Sequence, residues 1–236
     1  MSEVPDMVEW SPLTLTYVEY PQGDIVGKFL ALMSLTPFGV LIGFVTLILF
    51  RRDLHTVSFL VGLLLNEVLN MVLKYIIQEP RPLRAHIDKV SVPYGMPSSH
   101  AQFMWFFSMY ILCFVVVRLR YNNSSYKYES YWKVFIVLSS LLLTCIVSYS
   151  RVYLLYHTWN QILYGALIGC VFATGWFLIT QFILTPLFPM ITQWRISEVL
   201  MIRDTTLIPN ILWFEYTHCR QETRARSRKL VSMKSQ

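Results

Sequence analysis

The chain has 236 residues, 55% of them hydrophobic and 14% charged, with a net charge of +6. A soluble domain carries roughly 25% charged residues, so this composition excludes an ordinary globular protein and indicates a membrane domain with short loops. The positive balance gives no reason to expect a nucleic-acid partner, because the basic residues gather in particular loops and in the tail, the pattern that orients a membrane protein.

The elements follow in chain order. Residues 1–28 are acidic, with Glu3, Asp6, Glu9, Glu19 and Asp24 opposed by Lys28. Residues 29–50 form an uncharged apolar run, the first predicted span. The second, from about His55 to Ile77, is unusual in containing Glu67, Asn70 and Lys74. The third covers about 99–117, the fourth about 133–150 and the fifth about 160–182. Each is close to the roughly 20 residues a helix needs to cross the hydrocarbon core. Pro186 and Pro189 are expected to break the last run, leaving 183–216 as short interfacial helices and 217–236 as a basic tail. The expected fold is thus all-α: a polytopic membrane bundle of about five spans over 29–182. Cys113, Cys145, Cys170 and Cys219 show no disulfide or zinc spacing.

Charge predicts the sidedness. Arg51 and Arg52 precede span two, Arg118, Arg120, Lys127 and Lys133 separate spans three and four, and Arg220 to Lys229 follow the last span. Five spans place all of these on one side, the cytosol, with the acidic N-terminus opposite. Asn122 and Asn123 each begin an N-x-S sequon in the third-to-fourth loop. Neither should carry a glycan, and a mobility shift on glycosidase treatment of the protein from cells would invert this topology.

Three short stretches at span edges carry the chemistry, and all fall on the side opposite the basic loops. In the first, Lys74 nears the end of span two and Arg81 sits between Pro80 and Pro82, which stop the helix. A guanidinium on a stiff backbone suits bidentate binding of phosphate oxygens, although a juxtamembrane anchor would look the same. In the second, Pro93, Gly95 and Pro97 break the chain before Ser98 or Ser99 caps span three, with His100 in its first turn. A helix N-terminus is a ready anion site, and an ordinary Ser cap remains the simpler alternative. In the third, Arg151 closes span four and His157 opens the way to span five. Imidazole can take a phosphoryl group or shuttle protons near neutral pH. Together the three supply what is needed to bind a phosphate, attack it and protonate its leaving group, which indicates a membrane enzyme acting on a phosphorylated lipid.

The set K-x6-R-P, P-S-x-H and S-R-x5-H resembles the tripartite signature of the type 2 phosphatidic-acid phosphatase superfamily. The runs IQEPRP, YGMPSSHAQFMWFFS, VSYSRVYLLYHTW and RDTTLIPNILWFEYT are similar to its dolichyl diphosphate-cleaving branch, over nearly the whole chain. The resemblance implies that His157 is the nucleophile and His100 the general acid, then the base for water. It implies that Lys74, Arg81, Arg151, Ser98 and Ser99 hold phosphate. No cofactor and no metal would be needed. The implied reaction converts dolichyl diphosphate to dolichyl phosphate and phosphate in the endoplasmic reticulum membrane. The active site would be lumenal and the C-terminus cytosolic, and the lipid carrier of protein N-glycosylation would be recycled. The alternatives are a phosphatase of another lipid phosphate, such as phosphatidate or a sphingoid phosphate, and a catalytically inactive membrane scaffold. Oligomeric state stays open.

One position departs from the pattern. Where the family places Asp four residues after the nucleophilic His, this chain has Gln161, which can orient the imidazole but supplies no charge. Glu67, on the helix face of Lys74 two turns away, is a candidate for the missing charge, or it pairs locally for packing. Gly165 and Gly169 form a GxxxG on span five that either holds His157 near His100 or serves general packing or a dimer face.

Overall fold

The protein is described from a computed structural model that covers residues 10–12, 18–82, 94–118, 127–208 and 211–234. Asn122, Asn123, Arg120 and Pro93 lie outside the described residues. The helices are α1 (Ile25–Met33), α2 (Thr36–Arg51), α3 (Leu54–Ile77), α4 (Ser99–Cys113), α5 (Lys127–Tyr153), α6 (Trp159–Ile179), α7 (Thr185–Thr192), α8 (Arg195–Val199) and α9 (Ile211–Lys234). Among the described residues, five helical stretches are long and apolar enough to cross a membrane: Ile25–Arg51, Leu54–Ile77, Ser99–Val117, Tyr131–Tyr153 and Trp159–Thr192. The protein is a multi-pass helical membrane bundle. A small antiparallel ribbon, β1 (Trp10–Pro12) with β2 (Glu19–Pro21), is added to the all-helical expectation.

The two spans that contain proline differ from the sequence reading. The first span starts at Ile25 and is interrupted at Ser34–Leu35, where α2 begins with Pro37 in its first turn. Proline is tolerated there because its missing N–H has no helical partner to lose. Ser34 and Thr36 hydroxyls donate to the carbonyls of Ala31 and Met33, satisfying acceptors at the joint. The last span does not end before Pro186. A π turn over Thr180–Leu184 absorbs the change of register, and the helix continues as α7 to Thr192. The Thr185 N–H and hydroxyl both donate to the Thr180 carbonyl, the hydroxyl at 2.8 Å, which closes the wide turn.

The core is aromatic on one side of α4: Phe44, Leu63, Phe103, Met104, Phe106, Tyr110, Val147, Ala173 and Phe177 form one buried cluster. The other faces of α4 carry polar side chains, each matched to a neighbouring helix. Gln102 accepts from Asn70 at 2.7 Å and donates to the Asn66 side chain at 3.0 Å, joining α4 to α3. Ser108 pairs with Thr144 on α5 at 2.6 Å, and Ser58 on α3 with Thr180 at 2.9 Å. These polar residues are tolerated in spans because they are bonded across helices rather than turned to lipid. The Gln102 bonds lie toward the end where the three motifs meet, and the Ser58–Thr180 pair toward the other end of α3.

At the opposite end, the segment after α8 is laced to the turn between α2 and α3. Asp53 caps α3 and accepts from Thr205 at 2.6 Å, while Arg203 donates twice to the Arg51 carbonyl and pairs with Glu215 at 3.3 Å. The RDTT run is thus bound to the basic end of the bundle, far from Lys74 at the other end of α3.

Candidate active site

Helix α3 ends at Ile77 with Gln78 in a left-handed conformation, and Glu79, Pro80, Arg81 and Pro82 follow in extended chain. The chain returns as Tyr94 and Gly95. Gly95 donates its N–H to the Glu79 carbonyl at 2.7 Å, and Pro80 and Tyr94 form a bridge. Pro97, after a cis peptide bond, turns the backbone into α4. Ser98 stands at the N-cap, but its hydroxyl makes no capping bond and has no partner among the described residues. The first-turn N–H groups of α4, which have no carbonyl within the helix to bond, therefore share their end of the bundle with a free buried hydroxyl.

Seven further sequence candidates, Lys74, Arg81, Ser99, His100, Arg151, His157 and Gln161, gather around that turn. Lys74, buried, donates from Nζ to Ser99 Oγ at 3.4 Å. Arg151, in the last turn of α5, lies 4.1 Å beneath the Tyr156 ring and is 5% exposed. Its Nε and Nη1, and the Nε of Arg81, find no hydrogen-bond partner among the described residues. Leaving buried guanidinium donors unsatisfied is costly, and an anion with several oxygens would satisfy them at once. His157 is 3% exposed and Gln161 is fully buried. His100 faces the same space and lies near enough to interact electrostatically with His157, Arg151, Lys74 and Arg81.

Thr158 caps α6 through a capping box with Gln161, which places His157 one residue ahead of the helix. His157 Nδ1 lies 3.1 Å from Gln161 Oε1. Burial, then the Arg151 and Arg81 guanidinium groups, hold the His157 imidazole well below its ordinary range, despite the opposing hydrogen bond from Gln161. The ring is therefore neutral at physiological pH and retains a lone pair. Burial likewise lowers Arg81 from its usual value.

Among the described residues, the hydrogen bonds of the Gln161 side chain do not include Glu67. Glu67 lines a cavity of about 230 Å³ between α2, α3 and α4, which also touches Ser99 and His100 and is otherwise walled by Pro37, Phe38, Leu41, Leu63, Leu64 and Phe103. The carboxylate that reaches Gln161 is Glu79, which accepts from Gln161 Nε2 at 2.9 Å. The sequence reading passed over Glu79. Its one signal was a carboxylate lodged among phosphate-binding cations in the EPRP run.

Gly165 and Gly169 face α4 within the same chain. A Cβ on Gly169 would lie 2.4 Å from the Gln102 carbonyl oxygen, and one on Gly165 would lie 2.9 Å from that of Ser98. Tyr156 and Tyr153 tie the loop to the N-terminal segment: Tyr156 Oη accepts the Glu19 N–H at 3.0 Å and Tyr153 donates to Asp24 at 2.7 Å. Among the described residues no group of three or more His, Cys, Asp or Glu side chains is placed to hold a metal ion.

The PAP2 superfamily model matches residues 55–184, the stretch that contains every one of these groups except the N-terminal ties and the part of the cavity wall on α2. The chain belongs to the PAP2 superfamily. Among curated proteins it is 55% identical to "Dolichyldiphosphatase 1" of Homo sapiens, over 94% of this chain and 93% of that one. It is 40% identical to "Dolichyldiphosphatase 1" of Dictyostelium discoideum over 86% and 87% of the two chains. It is 37% identical to "Lipid phosphate phosphatase gamma" of Arabidopsis thaliana over 88% and 90%. No solved structure matches it. Within the PAP2 superfamily framework, the EPRP, PSSH and SRVYLLYH runs are the segments that meet at one end of the bundle.

Proposed function

We propose that this membrane phosphatase hydrolyses dolichyl diphosphate to dolichyl phosphate and phosphate through a phosphohistidine intermediate. The observation that carries the reading is the set of buried guanidinium donors of Arg81 and Arg151, without partners among the described residues, beside His157, whose Nδ1 lies 3.1 Å from Gln161 Oε1. The names of the relatives supply the lipid.

The terminal phosphoryl oxygens lie against Arg81, Arg151, Lys74, the Ser98 and Ser99 hydroxyls and the first-turn N–H groups of α4. Phosphoryl transfer asks chiefly for positioning and charge neutralisation, which this cradle supplies. His157 Nε2 attacks the terminal phosphorus, forming a P–N bond as the P–O bond to the lipid phosphate breaks. His100 gives its proton to the departing oxygen. His100 then takes a proton from a water that attacks the phosphorus, the P–N bond breaks, and phosphate leaves with His157 neutral again. The leaving lipid emerges on the His100 side, where the apolar cavity walled by Phe38, Leu41 and Phe103 meets the head-group site. With the basic end of the bundle cytosolic, this site faces the lumen of the endoplasmic reticulum, and the product re-enters carrier use for protein N-glycosylation.

A second reading, phosphatase action on another lipid phosphate, is favoured by the Arabidopsis relative's name. One experiment separates them. Purified protein in detergent with EDTA is given dolichyl diphosphate, dolichyl phosphate, phosphatidate and a sphingoid phosphate, and phosphate is measured. Release fastest from the diphosphate is expected. Faster release from phosphatidate or the sphingoid phosphate would install the second reading, and none from any lipid would leave a scaffold.

A further inference from the structure

We propose that Glu79 is a positioning residue for His157, acting through the Gln161 carboxamide. The inference rests on the reading of His157 as nucleophile. Its basis is the way Gln161 is gripped. Oε1 lies 3.1 Å from His157 Nδ1 and accepts the Thr158 N–H at 3.4 Å, while Nε2 donates to Glu79 Oε1 at 2.9 Å and to the Pro80 carbonyl at 3.0 Å. Two acceptors face one end of the amide, so that end is the NH₂. The oxygen therefore faces the imidazole, and Nδ1 must carry the ring proton. Nε2 is left with the lone pair that attacks phosphorus.

The grip is built into the backbone on both sides. The Glu79 carbonyl is bonded to the Gly95 N–H, and the Ser98 N–H donates to the Gln161 carbonyl at 3.1 Å. A Cβ on Gly95 would lie 2.7 Å from Gln161 Oε1 and 2.8 Å from Nε2. Only a residue without a side chain lets the returning strand pass so close to the amide. Three separate pieces of chain thus converge to hold one carboxamide between a carboxylate and an imidazole.

The arrangement matters when the ring becomes cationic. On attack at Nε2, the positive charge spreads over the imidazole and strengthens the Nδ1–H bond to Gln161. The amide polarises toward the Glu79 anion, as linked hydrogen bonds do in a low-dielectric site. Among the described residues, the other charged or titratable groups set against His157 are Arg151 from α5, Lys74 from α3, Arg81 after α3 and His100 from α4, none of them an anion. Glu79, reached through Gln161, supplies the countercharge that Gln161 itself lacks.

Glu79→Gln tests the charge while keeping an oxygen to accept from Gln161. Its expected effect is a fall in kcat of about 10-fold with KM unchanged. The acid limb of kcat/KM should move to lower pH, because His157 loses an anion that favours its protonated form. Gln161→Glu sets two carboxylates side by side and should cost more, about 100-fold. Combining Glu79→Gln with Gln161→Glu restores one carboxylate and one amide in reversed order and should recover much of that loss. A wild-type kcat and pH profile in folded Glu79→Gln would overturn the proposal. So would a double variant no more active than Gln161→Glu alone. Orthovanadate, a five-coordinate mimic of the transferring phosphoryl group, gives an independent readout. If the wild-type protein released phosphate from no lipid, the functional reading would fall. The relay would still predict vanadate binding about 10-fold weaker in Glu79→Gln, and equal binding would sink it.

Discussion

His157→Ala should release no phosphate from dolichyl diphosphate above background, a loss of about 10⁴-fold or more, while the protein still folds. The fold survives because the imidazole is neutral and its removal leaves Gln161 Oε1 still accepting from Thr158. A stability loss of about 1–2 kcal/mol is the scale for one lost buried hydrogen bond. The phosphate cradle of Arg81, Arg151 and Lys74 is untouched, so the variant should still bind vanadate or phosphate weakly. A substrate labelled at the terminal phosphate extends the test. Wild-type protein quenched in alkali should carry label on protein, since a phosphoramidate survives base, and His157→Ala should carry none. His100→Ala should behave differently. A lipid phosphate monoester is a good leaving group, with its second ionisation near pH 6, so attack needs little help from an acid, whereas water needs a base. Label should accumulate on the His100→Ala protein. Label on folded His157→Ala, or rapid turnover without any labelled wild-type intermediate, would remove His157 from the nucleophile's place.

Much of this site could be read from the sequence because its parts are tied to span ends. Lys74, Arg81, Ser98, Ser99, His100, Arg151 and His157 fall where apolar runs stop, and counting spans brings those ends to one side. The break in the pattern at Gln161 was also visible, and so was the need for a charge. The source we propose for that charge, Glu79, was not. Glu67 presented the stronger signal, a carboxylate inside a span on the face of Lys74, yet that face looks toward the α4 N-terminus and the cavity beside His100. Glu79 lies past the end of α3, where no periodicity governs direction. Its contact with Gln161 bridges 82 positions and depends on a strand pairing with Gly95. The continuation of α6 past Pro186 was hidden for a related reason. The π turn is held by the Thr185 N–H and hydroxyl on the Thr180 carbonyl, and such a turn leaves no trace in a hydropathy pattern. The glycine pair was ambiguous between an internal and an intermolecular contact, and only the position of α4 decides.

That position leads to the second large effect. Gly169→Ala should lower both thermal stability and kcat. The atom its Cβ would meet at 2.4 Å is a backbone oxygen, that of Gln102, with the Phe106 nitrogen at 3.1 Å. Neither can swing aside as a side-chain tip would, so α4 and α6 must separate. Overpacking of this kind costs about 1–3 kcal/mol. The catalytic cost follows from what each helix carries at its upper end. Helix α4 begins with Ser98, Ser99 and His100, while α6 begins beside His157 and carries Gln161 in its first turn. The Ser98 N–H to Gln161 carbonyl bond at 3.1 Å joins the two ends. A displacement near 1 Å between acid and nucleophile can cost about 100-fold in rate. The measurement is kcat with dolichyl diphosphate beside a melting curve, with Gly175→Ala as the comparison. Gly175 lies on the same helix, but a Cβ there meets nothing within 4 Å. That substitution should be neutral or stabilising by up to about 1 kcal/mol, the helix-propensity difference between the two residues. Equal behaviour of Gly169→Ala and Gly175→Ala would mean that close approach of α4 to α6 does not set the geometry of the site.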